Sequence, residues 1–136
     1  MKQQLRGVTL VELLIVMTII GILTAIAFPS YEAYLKRGRR ADAQTLMMDI
    51  ATKEQQYLLD ARQYTATIGA GGLGISTSGW TCAATCTNLF YTIDVLPGAT
   101  PPTFTIRAIV QGPQVGDGNL TLDHQGNRTR DGKPGW

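Results

Sequence analysis

Four groups of residues carry side chains that could do chemistry. Glu12 is the one charged residue in a run of 21, VTLVELLIVMTIIGILTAIAF, from Val8 to Phe28. Holding a lone carboxylate in hydrocarbon costs on the order of 2–3 kcal/mol or more, so such an acid marks a function and calls for a partner. Lipid headgroups or Arg6 are within reach of a position so near the start of the run. Cys82 and Cys86 frame the segment Cys-Ala-Ala-Thr-Cys. His124 stands among Asp117, Asp123, Asn127 and Asp131. Arg107, Arg128, Arg130 and Lys133 are the candidates for contact with nucleic-acid phosphates, which would show as steep salt dependence.

Most catalytic readings fail on these groups. His124 has no serine or cysteine nucleophile placed to complete a triad, and reads as a surface turn residue. The acidic residues around it do not follow a helix–loop–helix calcium pattern. Two cysteines and one histidine do not make a multi-ligand metal site. The segment Gly-Ala-Gly-Gly-Leu-Gly, residues 69–74, lacks the Lys-Ser/Thr that follows in a phosphate loop, and reads as a flexible connector. No enzyme activity, metal or cofactor is expected.

The elements that hold these residues follow from patterning. The apolar run, at 1.5 Å per residue, spans about 30 Å, one hydrocarbon core. It is too long for the apolar core of a secretory signal and lacks an A-x-A cleavage pattern. Gly21 and Pro29 interrupt it, and the stretch between them is expected to kink. Beyond Pro29, Ala43, Met47, Ile50, Tyr57 or Leu58, and Ala61 recur at helical spacing with one step over Glu54. That places an apolar stripe on a helix ending near 59–61, with Asp49, Lys53, Glu54 and Arg62 mainly on the other face. Lys36, Arg37, Arg39 and Arg40 read as a collar near lipid phosphates. Residues 62–89 read as a long loop. Three alternating segments follow, 90–96, 104–110 and 119–123, separated by Pro- and Gly-rich turns. The fold class is α+β: a long N-terminal helix whose C-terminal half packs on an antiparallel meander of three to four strands.

Composition agrees. The chain has 136 residues, 44% hydrophobic and 16% charged, with a formal net charge of +2. One modest domain fits that length, and no global charge field points to nucleic acid.

The first forty residues resemble the type IV prepilins. Met1–Gly7 (MKQQLRG) matches a short basic leader ending in glycine. Val8-Thr9-Leu10-Val11-Glu12-Leu13-Leu14 matches the cleavage and assembly motif, with Val8 where the family usually has Phe. The resemblance continues through Gly21 and Pro29 to Tyr31. It implies that a prepilin peptidase cuts after Gly7 and methylates the new amine on Val8. It also implies that Glu12 pairs with the amine of a neighbouring subunit in a filament. An unpaired charge is costly in an apolar medium, so only one axial stagger is tolerated. Removing the leader removes Lys2 and Arg6 and takes the net charge from +2 to 0.

The second half resembles the minor pilins of the type IVa system, through Tyr91-Thr92, Phe104-Thr105-Ile106, the segment from Gly118 to Asp123, residues 126–129 and Trp136. That group often has a cysteine just before its Leu-Thr-Leu segment. Here Asp117-Gly118-Asn119 stands instead, which leaves the usual closure of the C-terminal loop without its bond. In an exported domain Cys82 and Cys86 are expected to form a short disulfide. Its five-residue loop makes the stabilisation modest.

The organisation expected is a leader over 1–7, a membrane and filament-core helix over 8–34, and a head over 35–136. The head comprises an amphipathic helix (35–61), a loop (62–89), a sheet (90–123) and a tail (124–136). The function implied is a pilus subunit, most simply a minor pilin in assembly or priming, and so in twitching motility and adhesion. Alternatives are a DNA-binding minor pilin for natural transformation, a type II secretion pseudopilin, or a major pilin. Its partners would be other pilin subunits, the peptidase, the inner-membrane assembly platform and lipid, with DNA as a further candidate. The chain would sit in the inner membrane, N-terminus cytoplasmic and head periplasmic, and then in an extracellular pilus.

Overall fold

A computed structural model describes residues 7–136. Lys2 and Arg6 of the expected leader lie outside the described residues. The chain divides into two compact units, one ending at Arg37 and one running from Gly38 to Trp136.

One helix, α1, is assigned from Leu10 to Ala61. Thr9 caps it: its Oγ1 accepts from the Glu12 backbone N–H at 3.2 Å, and its carbonyl accepts from Leu13 N–H. This satisfies an otherwise orphaned donor of the first turn, and T-L-V-E has the spacing of a capping box. In the first unit the apolar side chains from Leu10 to Ile26 are exposed. Thr18, Thr24 and Ser30 donate their hydroxyls to carbonyls four residues back. That consumes their polarity inside the helix, as an apolar medium requires. The expected interruption between Gly21 and Pro29 does not break the element: Pro29 lies inside α1. Proline removes one donor, from the Ala25 carbonyl, and neighbouring bonds continue the ladder.

In the second unit α1 covers a sheet. Ala43, Leu46, Met47, Ile50 and Glu54 are the buried helix residues, at spacings of one, three and four. The sheet has seven antiparallel strands in sequence order, a pure meander. They are β1 (Thr81–Cys82), β2 (Cys86–Thr87), β3 (Tyr91–Gly98), β4 (Thr103–Val110), β5 (Leu120–Asp123), β6 (Arg128–Arg130) and β7 (Lys133–Pro134). A short 3-10 turn, Gly112–Gln114, joins β4 to β5. Alternation sends Tyr91, Ile93, Val95, Phe104, Ile106, Ala108, Leu120 and Leu122 into the core beneath the helix.

Four expectations change. The meander has seven strands rather than three to four, because the loop 62–89 contains the β1–β2 hairpin and the tail 124–136 supplies β6 and β7. Strands of two or three residues lack the length for a period-two signal. The glycine segment is no loose connector: Tyr64, Ile68 and Leu73 are buried, and Gly69 N–H donates to Ala83 O at 2.7 Å. A Cβ on Gly69 would meet Cys82 O at 2.7 Å, so only glycine lets the loop lie this close. Ala61 is exposed.

Glu54 is the fourth. It lies on the buried stripe, fully shielded, not on the solvent face. Its Oε2 accepts the Thr65 N–H at 3.1 Å and so ties the segment after α1 back to the helix, while Oε1 has no hydrogen-bond partner among the described residues. Burial pushes the Glu54 carboxyl above its usual 4.5, with the Thr65 N–H opposing. The folded state therefore holds the proton more tightly than the unfolded one. The stability this contributes is complete below the unfolded value and is lost as pH rises through the folded value. Glu54→Gln keeps an acceptor for Thr65 and does not titrate. Lowering the pH from about 7 to about 4.5 is expected to raise the wild-type Tm relative to that of Glu54→Gln. A difference constant with pH, in thermal unfolding followed by circular dichroism, would contradict this.

Candidate functional site

At the start of α1, Gly7 and Val8 precede the helix, Thr9 caps it, and Leu10 and Glu12 occupy its first turn. Val8 and Leu10 are 69% and 82% exposed, so this end is a large apolar surface without a covering in a single chain. The partial positive charge of a helix N-terminus favours a carboxylate at Glu12.

Cys82 and Cys86 are joined by a disulfide across the β1–β2 turn. The tip of that turn is itself an anchor: Ala83 O and Ala84 O accept from Gly69 and Ile68 N–H. The bond thus fixes the hairpin that holds the preceding loop.

A polar cluster joins α1 to the turn before β5. Asp117 receives Arg40 Nε at 2.8 Å and a second Arg40 nitrogen, Gln114 Nε2 at 2.9 Å and the Tyr91 hydroxyl at 3.2 Å. Burial alone would raise the Asp117 carboxyl, but the donors from Arg40, Gln114 and Tyr91 outweigh it and hold it below the usual 3.8. Burial pushes the Tyr91 phenol up to about 12, so it stays a donor. Sequence reading missed this cluster because its members are up to 77 residues apart. The Arg40 and Arg39 of the expected lipid collar are engaged in the head instead: Arg39 lies 4.1 Å over the Phe90 ring.

The other acidic residues serve turns. Asp123 accepts from Gln125 N–H and from the backbone and amide nitrogens of Asn127. Asp131 Oδ1 accepts from Asn119 N–H at 3.0 Å, and Asp131 N–H donates to Asn119 O at 2.9 Å. These two bonds tie the turn before β5 to the turn between β6 and β7. No cluster of three or more potential metal ligands occurs among the described residues.

Strand parity sorts the candidate phosphate contacts. Arg107 lies on the outer face of the sheet and pairs with Asp94, Nε to Oδ1 at 3.0 Å. Arg128 and Arg130 stand opposite Leu122 and Leu120, and Lys133 stands opposite Arg130. Directly opposed residues share a face, so these three cations occupy the helix side of the sheet edge. Thr121 and Thr129 mark the other side, with their hydroxyls 2.6 Å apart. Arg128 is 4.9 Å over the Trp136 ring. Arg130 and Lys133 are exposed, and neither has an acidic partner among the described residues.

Comparison with known proteins decides the family. Residues 29–121 match the family described as type IV minor pilin ComP, DNA uptake sequence receptor. The chain belongs to this family of type IV pilins. Residues 4–28 match the prokaryotic N-terminal methylation motif. Fimbrial protein EcpC of Eikenella corrodens is 37% identical over 79 residues, 58% of this chain and 52% of that protein. Type IV major fimbrial protein FimA of Dichelobacter nodosus is 40% identical over 63 residues, 46% and 40% of the two chains. Type IV major pilin protein PilA of Myxococcus xanthus is 37% identical over 59 residues, 43% and 27%. The matches span about half or less of these relatives' lengths. No solved structure gives a significant match. Pilins are structural proteins that assemble into filaments, and the apolar helix of this pilin suits membrane anchoring before assembly. The family match ends at Thr121, so the β6–β7 hairpin lies beyond it.

Arg40→Ala would leave the Asp117 carboxylate shielded with two neutral donors. Removing one member of a buried charge pair typically costs about 3 kcal/mol. A Tm for the variant equal to that of the wild-type pilin would show that the cluster does not hold the β4–β5 turn to α1.

Proposed function

We propose that this pilin is a minor subunit of a type IV pilus that takes up duplex DNA on the helix side of its β6–β7 hairpin. The observation carrying this reading is the row Arg128, Arg130 and Lys133 on one face, none with an acidic partner among the described residues, while Arg107 on the opposite face is neutralised by Asp94. The family's description as a DNA uptake sequence receptor supports the ligand class. Lysine and arginine rows displace the counterions of the phosphate backbone, and each phosphate contact contributes a slope of about −0.9 to log K against log salt. In full-length pilin held in detergent micelles, Arg130→Ala with Lys133→Ala is expected to weaken duplex binding on every sequence and flatten the slope by about 2. Fluorescence anisotropy with labelled DNA reads both. No binding by the unaltered pilin at low salt would overturn the proposal.

Its route to the filament is the second part of the reading. A prepilin peptidase cuts after Gly7 and methylates Val8. The helix is held in the inner membrane with the head periplasmic, and the assembly platform extracts it into the extracellular pilus. Glu12 then pairs with the Val8 amine of a neighbour, which supplies the partner an intramembrane carboxylate requires. Thr9 and Leu10 shape the entry to the helix, and Gly21 and Pro29 supply its weak point once packed among other helices. Glu12→Ala is expected to be shortened normally on a gel yet to enter sheared filaments far less than the unaltered chain. Equal incorporation would refute the pairing.

A further inference from the structure

Beside the basic hairpin lies an open groove of about 270 Å³, between α1 and the β5–β6 edge. Its floor is Phe104 and Leu122, both nearly fully buried. Its rim includes Gln55, His124 and Arg128. Arg128 therefore belongs both to the groove and to the cation row, and Arg130 follows it about 6.5 Å further along β6.

The rim groups are held in place yet keep unused hydrogen-bonding capacity. His124 N–H donates to Phe104 O at 3.0 Å, and its ring meets the Phe104 ring edge-on with centroids 6.4 Å apart. Neither imidazole nitrogen has a hydrogen-bond partner among the described residues. Gln55 Oε1 accepts the Tyr64 hydroxyl at 3.4 Å, which leaves its second lone pair and the amide nitrogen for a ligand. The acid on the rim, Asp123, is occupied by three donors of its own turn. With Phe104 and Leu122 as an apolar floor, the polar groups that can reach a ligand are those on the rim.

We infer that side chains projecting from the rim of this groove read base edges of the DNA whose phosphates rest on the β6–β7 hairpin, with Gln55 and His124 as specificity-determining residues. The inference rests on the DNA-uptake reading above and adds to it the residues that discriminate sequence. Phosphate contacts position a duplex but carry no sequence information, so a receptor selective for sequence needs such a second set. Its amide keeps both N–H donors and a second oxygen lone pair, so Gln55 can meet the N6 and N7 edge of an adenine.

The test starts from a pool of duplex DNA with a randomised central segment, enriched on full-length pilin in detergent micelles. Affinities for the enriched sequence and for the unselected pool are then measured at one salt concentration. The unaltered pilin is expected to favour the enriched sequence. Gln55→Ala and His124→Ala are each expected to reduce that preference about tenfold, within the range a single base contact supplies. A preference unchanged in both variants overturns the inference, as does an equal loss of affinity for both DNAs, which marks a structural effect. Binding without any sequence preference in the unaltered pilin overturns the inference and leaves the DNA reading standing. No binding to either DNA overturns both.

Discussion

Everything in the head depends on one stripe of α1. A seven-stranded sheet with one apolar face must cover that face, and helix residues 43–54 are its cover. Each fully buried aliphatic or aromatic side chain contributes roughly 1.5–3 kcal/mol, and the cluster draws on the helix, the loop after it and strands β2 to β5. The same helix presents apolar side chains around its whole circumference in the first unit. One element thus serves two media: lipid or like helices along its first part, a protein core along its last.

Polar contacts fix how sheet and loops meet that stripe. Arg40 and Glu54 stand fourteen positions apart, and each reaches a different connection. Arg40 holds the β4–β5 turn through Asp117, and Glu54 holds the segment after the helix through Thr65. The disulfide hairpin carries the glycine loop through Ala83 and Ala84. Arg40, Arg39 and Arg107 are engaged within the head, whereas Arg128, Arg130 and Lys133 stand together on β6 and β7.

The leader motif was legible from its residue order, the apolar run from its length and composition, and the three longer strands from their alternation. The stripe was legible at Ala43, Met47 and Ile50 and misread at Glu54, whose charge suggested solvent although its spacing continued the buried row. The short strands were not legible, since two residues cannot display alternation. Of the candidate site, residue types alone picked out the basic residues Arg107, Arg128, Arg130 and Lys133. Their sorting onto opposite faces needed the register of β5 with β6. Gln55 gave no signal, because an exposed glutamine on a helix is ordinary until Phe104 and His124 are seen beside it.

The meander has a kinetic consequence. Every strand pairs with its neighbour in sequence, so each pairing closes a short loop and the entropic cost of each closure is small. Folds dominated by near-sequence contacts cross their barrier faster than those that must join distant strands. The helix that templates the sheet precedes all seven strands in the chain. The head can therefore grow outward from a surface already in place, one hairpin at a time, each strand pairing with the next along the chain.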